Sequence, residues 1–146
     1  MAYQITSDCT GCSYCAQWCP SGAITGRRKV RYTIESSKCL ECGACGRICT
    51  FKAVLEPSGR LATRTRLSEW QKPCWNYALC DRCGECVTAC PTKCIRLAAQ
   101  DAVDVGVPNG YPFLSRVKMC IGCDFCLREC DYQAITLAAA SQRVAM

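Results

Sequence analysis

Four copies of one cysteine motif, C-x2-C-x2-C-x3-C, constrain this chain more than any other feature of its sequence. The copies begin at Cys9, Cys39, Cys80 and Cys120. Repetition of this kind indicates that the fold is assembled from one small unit used several times. Sixteen of the 18 cysteines belong to the motifs, which leaves Cys74 and Cys94 outside them.

The repeat extends beyond the cysteines. Four residues after each last Cys, a small residue is followed by an aliphatic one, at Ala23-Ile24, Ala53-Val54, Cys94-Ile95 and Ala134-Ile135. Each unit is therefore predicted as a ligand loop, a short helix around its third and fourth Cys, and a short strand. The strands are predicted at Tyr3–Thr6, Tyr32–Ile34, Ile95–Leu97 and Ile135–Leu137. Cys94 stands where the other copies have alanine, so we interpret it as a small buried packing residue.

Between the second and third motifs lies a polar, basic stretch bounded by prolines, EPSGRLATRTRLSEWQKP. It predicts a linker over residues 57–73 between two modules, residues 1–56 and residues 74–146. A surface loop is predicted at Asp101–Asn109, in the longer gap of the second module. Segments of about 60 residues are marginal on an apolar core alone, so we expect metal sites to form the core of each module.

The crowding of four cysteines into each short run indicates iron–sulfur clusters. A C-x2-C-x2-C loop wraps three thiolates around one cubic cluster, while the fourth Cys lies past a helical turn and points toward a neighbouring cluster. The alternative is zinc, whose four-cysteine sites usually join two C-x2-C knuckles across a longer loop. Disulfides are the other alternative. The opening MAYQITS has no features of an export signal, so we expect a reducing, cytoplasmic location where disulfides are rare.

Composition narrows the function further. The chain has no His, which excludes Rieske centres and histidine-based acid–base catalysis. No apolar run reaches the ~20 residues of a membrane span.

The formal charge is +6. A 4Fe–4S core with its four thiolates carries a charge of about −2, so four clusters together carry about −8. Added to the formal charge of the chain, they leave about −2 for the loaded protein. The basic residues then balance the clusters, and we expect no nucleic-acid partner.

The coordination predicted here is closed, because four protein thiolates leave no iron open to a substrate. The chain also has no G-x-G-x-x-G loop and no P-loop lysine. These observations predict a non-catalytic electron-transfer protein with four 4Fe–4S clusters.

The first half resembles the small two-cluster bacterial ferredoxins. The resemblance lies in AYQITSDCTGCSYCAQWCPSGAI, in YTIESSKCLECGACGRIC and in the 19-residue gap between Cys19 and Cys39. The second half is similar in CDRCGECVTACPTKCI and MCIGCDFCLRECDYQAI. The resemblance implies an α+β fold: two tandem ferredoxin-like modules in which short hairpins and helices pack around the clusters.

Carried over residue by residue, the resemblance implies four ligand sets in which the fourth Cys of each motif serves the other cluster of its module. The sets are Cys9, Cys12, Cys15 and Cys49; Cys39, Cys42, Cys45 and Cys19; Cys80, Cys83, Cys86 and Cys130; and Cys120, Cys123, Cys126 and Cys90. In some pterin-enzyme subunits the first motif pairs with the fourth and the second with the third, and that alternative stays open.

The family's Pro after the fourth Cys is present at Pro20 and Pro91, whereas Thr50 and Asp131 replace it in the other copies. We expect an altered local turn there, because these residues regain an N–H that Pro lacks. The whole chain looks like the polyferredoxin subunits of larger redox enzymes, and is most similar to the small subunit of tungsten aldehyde oxidoreductases.

That resemblance implies two partners, a catalytic redox subunit and a second electron donor or acceptor protein. The alternatives are a subunit of a hydrogenase or formate dehydrogenase, a freely diffusing polyferredoxin, and a chain that associates head to tail into a filament.

Overall fold

The computed structural model describes residues 1–99 and 106–139. The chain divides into two compact units, the first ending at Trp70 and the second beginning at Gln71. The predicted linker is thus shared: residues 57–70 belong to the first unit and residues 71–73 open the second. The predicted module boundaries stay predictions, and residues 101–105 of the predicted surface loop lie outside the described residues.

The first unit consists of very short elements. They are β1 (Gln4–Ile5), α1 (Tyr14–Trp18), β2 (Ile24–Thr25), β3 (Thr33–Ile34), α2 (Ala44–Ile48), β4 (Val54–Leu55) and a 3-10 turn (Leu67–Glu69). β1 pairs with β4 and β2 with β3, both antiparallel. Helices of five residues do not persist alone in water, so α1 and α2 depend on their mutual packing and on the cysteines they carry.

The second unit repeats this plan. Its elements are β5 (Gln71–Trp75), α3 (Glu85–Ala89), β6 (Ile95–Leu97), β7 (Pro112–Leu114), a 3-10 turn (Val117–Met119), α4 (Phe125–Arg128) and β8 (Ile135–Ala139). β5 pairs with β8 and β6 with β7, again antiparallel. Short helices with small sheets confirm the predicted α+β class. Among the described residues, no helix has the length and apolar character needed to cross a membrane.

Residues at the same positions of each cysteine motif have a left-handed backbone conformation. Both neighbours of the second Cys have positive φ, at Gly11 and Ser13, Glu41 and Gly43, Arg82 and Gly84, and Gly122 and Asp124. A third left-handed residue lies three positions after the fourth Cys, at Gly22, Lys52, Lys93 and Gln133. These reversals turn the chain tightly, so that consecutive cysteines face one cavity.

Three of the four helices end in the same way, whether or not Pro follows. Cys19 precedes Pro20 and has ψ 110, and Cys49, which precedes Thr50, also has ψ 110. The altered turn expected at Thr50 is therefore wrong, and the extended conformation of Cys49 does not depend on the preference of a residue before Pro. Before Asp131 the helix does differ, because α4 ends one residue earlier, with Glu129 at ψ 5.

Cysteine contributes to the core of both units. In the first unit, Cys15 and Cys45 are buried with Ile24, Tyr32 and Val54. The second core has more cysteine still: Cys86, Cys90, Cys94, Cys120 and Cys126, with Ile95 and Ile135. The small residue after each fourth Cys is almost fully enclosed, as the repeat predicts.

Gly11 and Gly22 have two different roles in this fold. Both have positive φ, but a Cβ on Gly11 would lie 2.5 Å from the backbone nitrogen of Val30, whereas nothing lies within 4 Å of a Cβ on Gly22. We expect Gly22→Ala to cost about 1 kcal/mol through backbone strain alone. Gly11→Ala adds an overpacking cost of about 1–3 kcal/mol.

The check is the midpoint temperature at which the loaded protein loses its visible cluster absorption. One kcal/mol corresponds to roughly 4–8 °C in a unit of this size, so Gly11→Ala should lower the midpoint well beyond Gly22→Ala. Equal midpoints for the two variants would contradict this account of Gly11.

Candidate metal-cluster sites

Two cavities of the first unit are each lined by cysteines from both of its motifs. The first cavity contains Cys9, Cys12, Cys15 and Cys49. The second contains Cys19, Cys39, Cys42 and Cys45. The fourth Cys of each motif thus lies in the cavity of the other motif. The two cavities adjoin, so the thiol of Cys15 in the first raises the pKa of the Cys45 thiol in the second by charge repulsion.

The second unit repeats this exchange. The third cavity contains Cys80, Cys83, Cys86 and Cys130. The fourth contains Cys90, Cys120, Cys123 and Cys126, and also Cys94. Each of the four cavities holds about 310–350 Å³ of space not filled by protein atoms. Each predicted ligand set therefore lines one cavity, while Cys74 lines none of the four.

The donor set fits an iron–sulfur cluster better than a single ion. Thiols are the preferred ligands of both zinc and iron–sulfur clusters, so the residue types do not separate the two. Placement does. In residues 1–99 and 106–139, no three Cys, Asp or Glu side chains meet closely enough to hold one metal ion. Sulfurs that surround a cavity, instead of meeting at a point, suit a polynuclear cluster.

The third Cys of each motif has the least favourable environment for an unpaired thiolate. Burial raises the pKa of Cys15 and Cys86 to about 11, and that of Cys45 and Cys126 to about 12. The other thiols of the same set raise each pKa further, because like charges repel. Four thiolates in such a cavity require a positively charged core, and iron supplies that charge.

Hydrogen-bond donors surround the fourth Cys of the motifs. Backbone N–H groups of Ala53, Cys94 and Ala134 donate at 3.4 Å to the sulfurs of Cys49, Cys90 and Cys130. Where Pro follows the fourth Cys, a hydroxyl group also lies nearby: Ser21 at 3.6 Å from Cys19, and Thr92 at 3.6 Å from Cys90. Such bonds stabilise negative charge on sulfur.

Two residues that the sequence did not assign to a site contact cysteines of the fourth cavity. The Cys94 sulfur is 3.4 Å from that of Cys90, and its hydrogen bond lowers the pKa of Cys90 and of Cys120. Lys72 is buried, and its ammonium donates to the carbonyl oxygen of Cys120. Cys94 was recognisable as the one departure from alanine in the repeat. The position of Lys72 depends on β5 pairing with β8, which leaves no local sequence signal.

Comparison with known families agrees with this geometry. The model of the 4Fe-4S dicluster domain matches residues 8–53, and that of the 4Fe-4S binding domain matches residues 73–96. Together the matches contain ligand residues from the first three motifs. They show ferredoxin domains in both units of the chain.

Individual relatives are short or only partly covered. Ferredoxin-1 of Chlorobaculum tepidum is 32% identical over 62 residues, 98% of its length and 38% of this chain. The ferredoxin-type protein NapF of Escherichia coli is 29% identical over 97 residues, 55% of its length and 61% of this chain. A ferredoxin-like protein in the nif region of Nostoc sp. is 43% identical over 42 residues, 36% of its length and 29% of this chain. The chain thus spans only about a third to a half of the latter two proteins.

Among solved structures, a chain of the formate dehydrogenase–heterodisulfide reductase–formylmethanofuran dehydrogenase complex of Methanospirillum hungatei superposes with a TM-score of 0.42. The identity is 20%, over 88% of this chain and 47% of that chain. This superposition is too loose to bear on the fold or partners of the present chain.

The family assignment comes from the two domain matches and from the nearly complete coverage of a small ferredoxin. Iron–sulfur ligation and electron transport are the properties that these matches support. The chain belongs to the 4Fe–4S ferredoxins, a family of electron-transfer proteins.

Proposed function

We propose that this chain carries electrons one at a time through four 4Fe–4S clusters, two in each unit, as the electron-transfer subunit of a larger redox enzyme. One observation carries the proposal: each of four cavities is lined by four motif cysteines drawn from two motifs of the same unit. The sixteen cysteines of the predicted ligand sets are the proposed iron ligands.

Such clusters supply reversible one-electron chemistry when bound. The protein's part is to hold the thiols, to exclude water and to stabilise the charge. All four thiols of each set come from this chain, so the proposed coordination is closed and the role non-catalytic. Within each unit the two cavities are neighbours, since the Cys86 thiol acts on Cys126 as Cys15 acts on Cys45. This closeness supports electron exchange between the two sites of one unit.

The proposed partners are a catalytic redox subunit and a second electron donor or acceptor protein, in the cytoplasm. On the sequence resemblance, the catalytic subunit is a tungsten- or molybdenum-pterin aldehyde oxidoreductase. A hydrogenase or formate dehydrogenase subunit is the alternative, as is a freely diffusing carrier. Head-to-tail association into a filament belongs to the same proposal, since a heterologous contact that does not close generates filaments.

The count of clusters is directly measurable. The purified, loaded chain should contain about sixteen iron atoms and as many acid-labile sulfides, because each cluster has four of both. A reductive titration under anaerobic conditions should then take up about four electrons per chain, one for each cluster. Uptake of fewer than three electrons by a chain with full iron content would contradict a four-cluster relay.

The exchange of the fourth Cys separates the two pairing schemes. If Cys49 completes the first site, Cys9→Ala and Cys49→Ala should each remove the same component of the reduced protein's electron paramagnetic resonance spectrum. If the first motif pairs with the fourth and the second with the third, Cys49→Ala should instead match Cys80→Ala. Cys74→Ala is the control, because Cys74 lines no cavity among the four, and it should keep all four components.

The partner is tested by native-size chromatography of the chain from its source cells. Elution with a large subunit that contains a pterin-bound metal supports the proposed complex, whereas elution alone indicates a free carrier. Electron microscopy of the same fractions distinguishes discrete particles from filaments. A partner without tungsten or molybdenum would contradict the aldehyde oxidoreductase assignment and leave the electron-transfer role intact.

A further inference from the structure

The second and fourth cavities occupy equivalent places in the two units, yet they differ at two buried positions. Cys94 follows Cys90 by four residues, as Ala23 follows Cys19 by four residues. Both side chains are 1% exposed. A buried alanine of the first unit is therefore replaced by a buried thiol in the second, at a site built on the same motif.

The second difference is a charge. Ile5 pairs with Val54 in the first unit, and Trp75 pairs with Ile135 in the second, so the two strands can be aligned residue by residue. In this alignment Lys72 takes the place of Ala2. Lys72 is 5% exposed, and within the described residues it is the one charged side chain that is buried. Burying an ammonium is costly unless negative charge lies nearby, and a cluster ligated by four thiolates provides it.

Cys94 is a hydrogen-bond donor once iron is bound. Its sulfur lies 3.4 Å from that of Cys90 and also interacts with that of Cys120. Cys90 and Cys120 lose their protons when they ligate iron, because the metal binds thiolates. Cys94 binds no iron in the proposed scheme and keeps its proton, so its single S–H group donates to a ligand sulfur, that of Cys90 at 3.4 Å.

We propose that Lys72 and Cys94 make the fourth cluster the one with the highest reduction potential, so that the first electron to enter the chain comes to rest there. This inference rests on the proposed four-cluster function. A cluster gains one negative charge on reduction and no bond changes. A buried cation and a hydrogen bond to sulfur both stabilise that added charge and thereby favour the reduced form.

Among the described residues, the other sites have no buried cation. Asp124 lines the fourth cavity as well, but Arg128 forms an ion pair with its carboxylate at 2.9 Å. No charged residue lines the first cavity among the described residues. At the second, Arg47 donates to the Cys42 carbonyl oxygen at 3.0 Å, but its side chain is only half-buried and water screens its charge. The third is lined by the carboxylates Asp81, Glu85 and Glu129 and by Arg82, all of which are exposed, so water screens their charges. The indole N–H of Trp75 acts on the Cys86 sulfur there, but no buried cation accompanies it among the described residues.

The test is a redox titration of the full-length loaded protein, followed by electron paramagnetic resonance. Lys72→Gln removes the charge and keeps a donor for the Cys120 carbonyl, and Cys94→Ala removes the thiol. Each should lower the equilibrium constant for the highest-potential step by about tenfold, which is 59 mV for one electron. The potentials of the other three reduction steps should not change. Lys118→Gln is the control, because it removes an exposed charge two residues from Cys120 and should leave the highest step unchanged.

Three further variants make the test independent of any one substitution. Lys72→Arg keeps the charge and Cys94→Ser keeps the hydrogen-bond donor, so both variants should keep the potential of the highest step close to that of the unaltered protein. Ala23→Cys places a thiol at the equivalent point of the second cavity and should raise the potential of one of the other steps. If Lys72→Gln fails to assemble its clusters, Cys94→Ala and Ala23→Cys still decide the outcome.

The inference is overturned if Lys72→Gln and Cys94→Ala leave the highest step unchanged, or shift a lower step instead. These outcomes are distinguishable from failure of the proposed function. A chain that takes up four electrons but has an insensitive highest step refutes only the role of Lys72 and Cys94. A chain that takes up fewer than three electrons refutes the four-cluster proposal itself.

Discussion

The meeting of four cysteine thiols from two separate motifs at each cavity is the constraint on which the rest of each unit depends. Three thiols come from one tight loop and the fourth from beyond the helix of the other motif. This exchange ties the two halves of a unit together more firmly than strands of two to five residues could. The helices have four or five residues and could not persist without it.

Electrostatics follows from the same arrangement. Buried thiols that repel one another's charge have raised pKa values, so the cavities of the metal-free protein disfavour thiolates. An iron–sulfur core reverses this preference, and binding then contributes to folding. Residues around the core can adjust how readily each site accepts an electron. Under the proposed function the basic residues would offset the charge of the clusters, and among the described residues Lys72 is the one that is buried.

Much of the site could be predicted because the motif repeats four times. The spacing identified sixteen candidate ligands, the resemblance to two-cluster ferredoxins implied their grouping, and the repeat predicted the burial of Cys94. The backbone was harder to predict, because only one of the two left-handed neighbours of each second Cys is glycine. Ser13, Glu41, Arg82 and Asp124 adopt the same conformation without that signal. Lys72 could not be predicted, since it reaches Cys120 only through pairing between strands far apart in sequence.

Removal of iron tests the central claim most directly, namely that the thiol-lined cavities become the cores of both units only when clusters fill them. The full-length protein would be treated with an iron chelator under anaerobic, reducing conditions and followed by circular dichroism and amide hydrogen exchange. The account predicts that protection disappears from both units together with the visible absorption of the clusters. Native protection persisting in β5 and β8, or in β1 and β4, after all iron has left would contradict it.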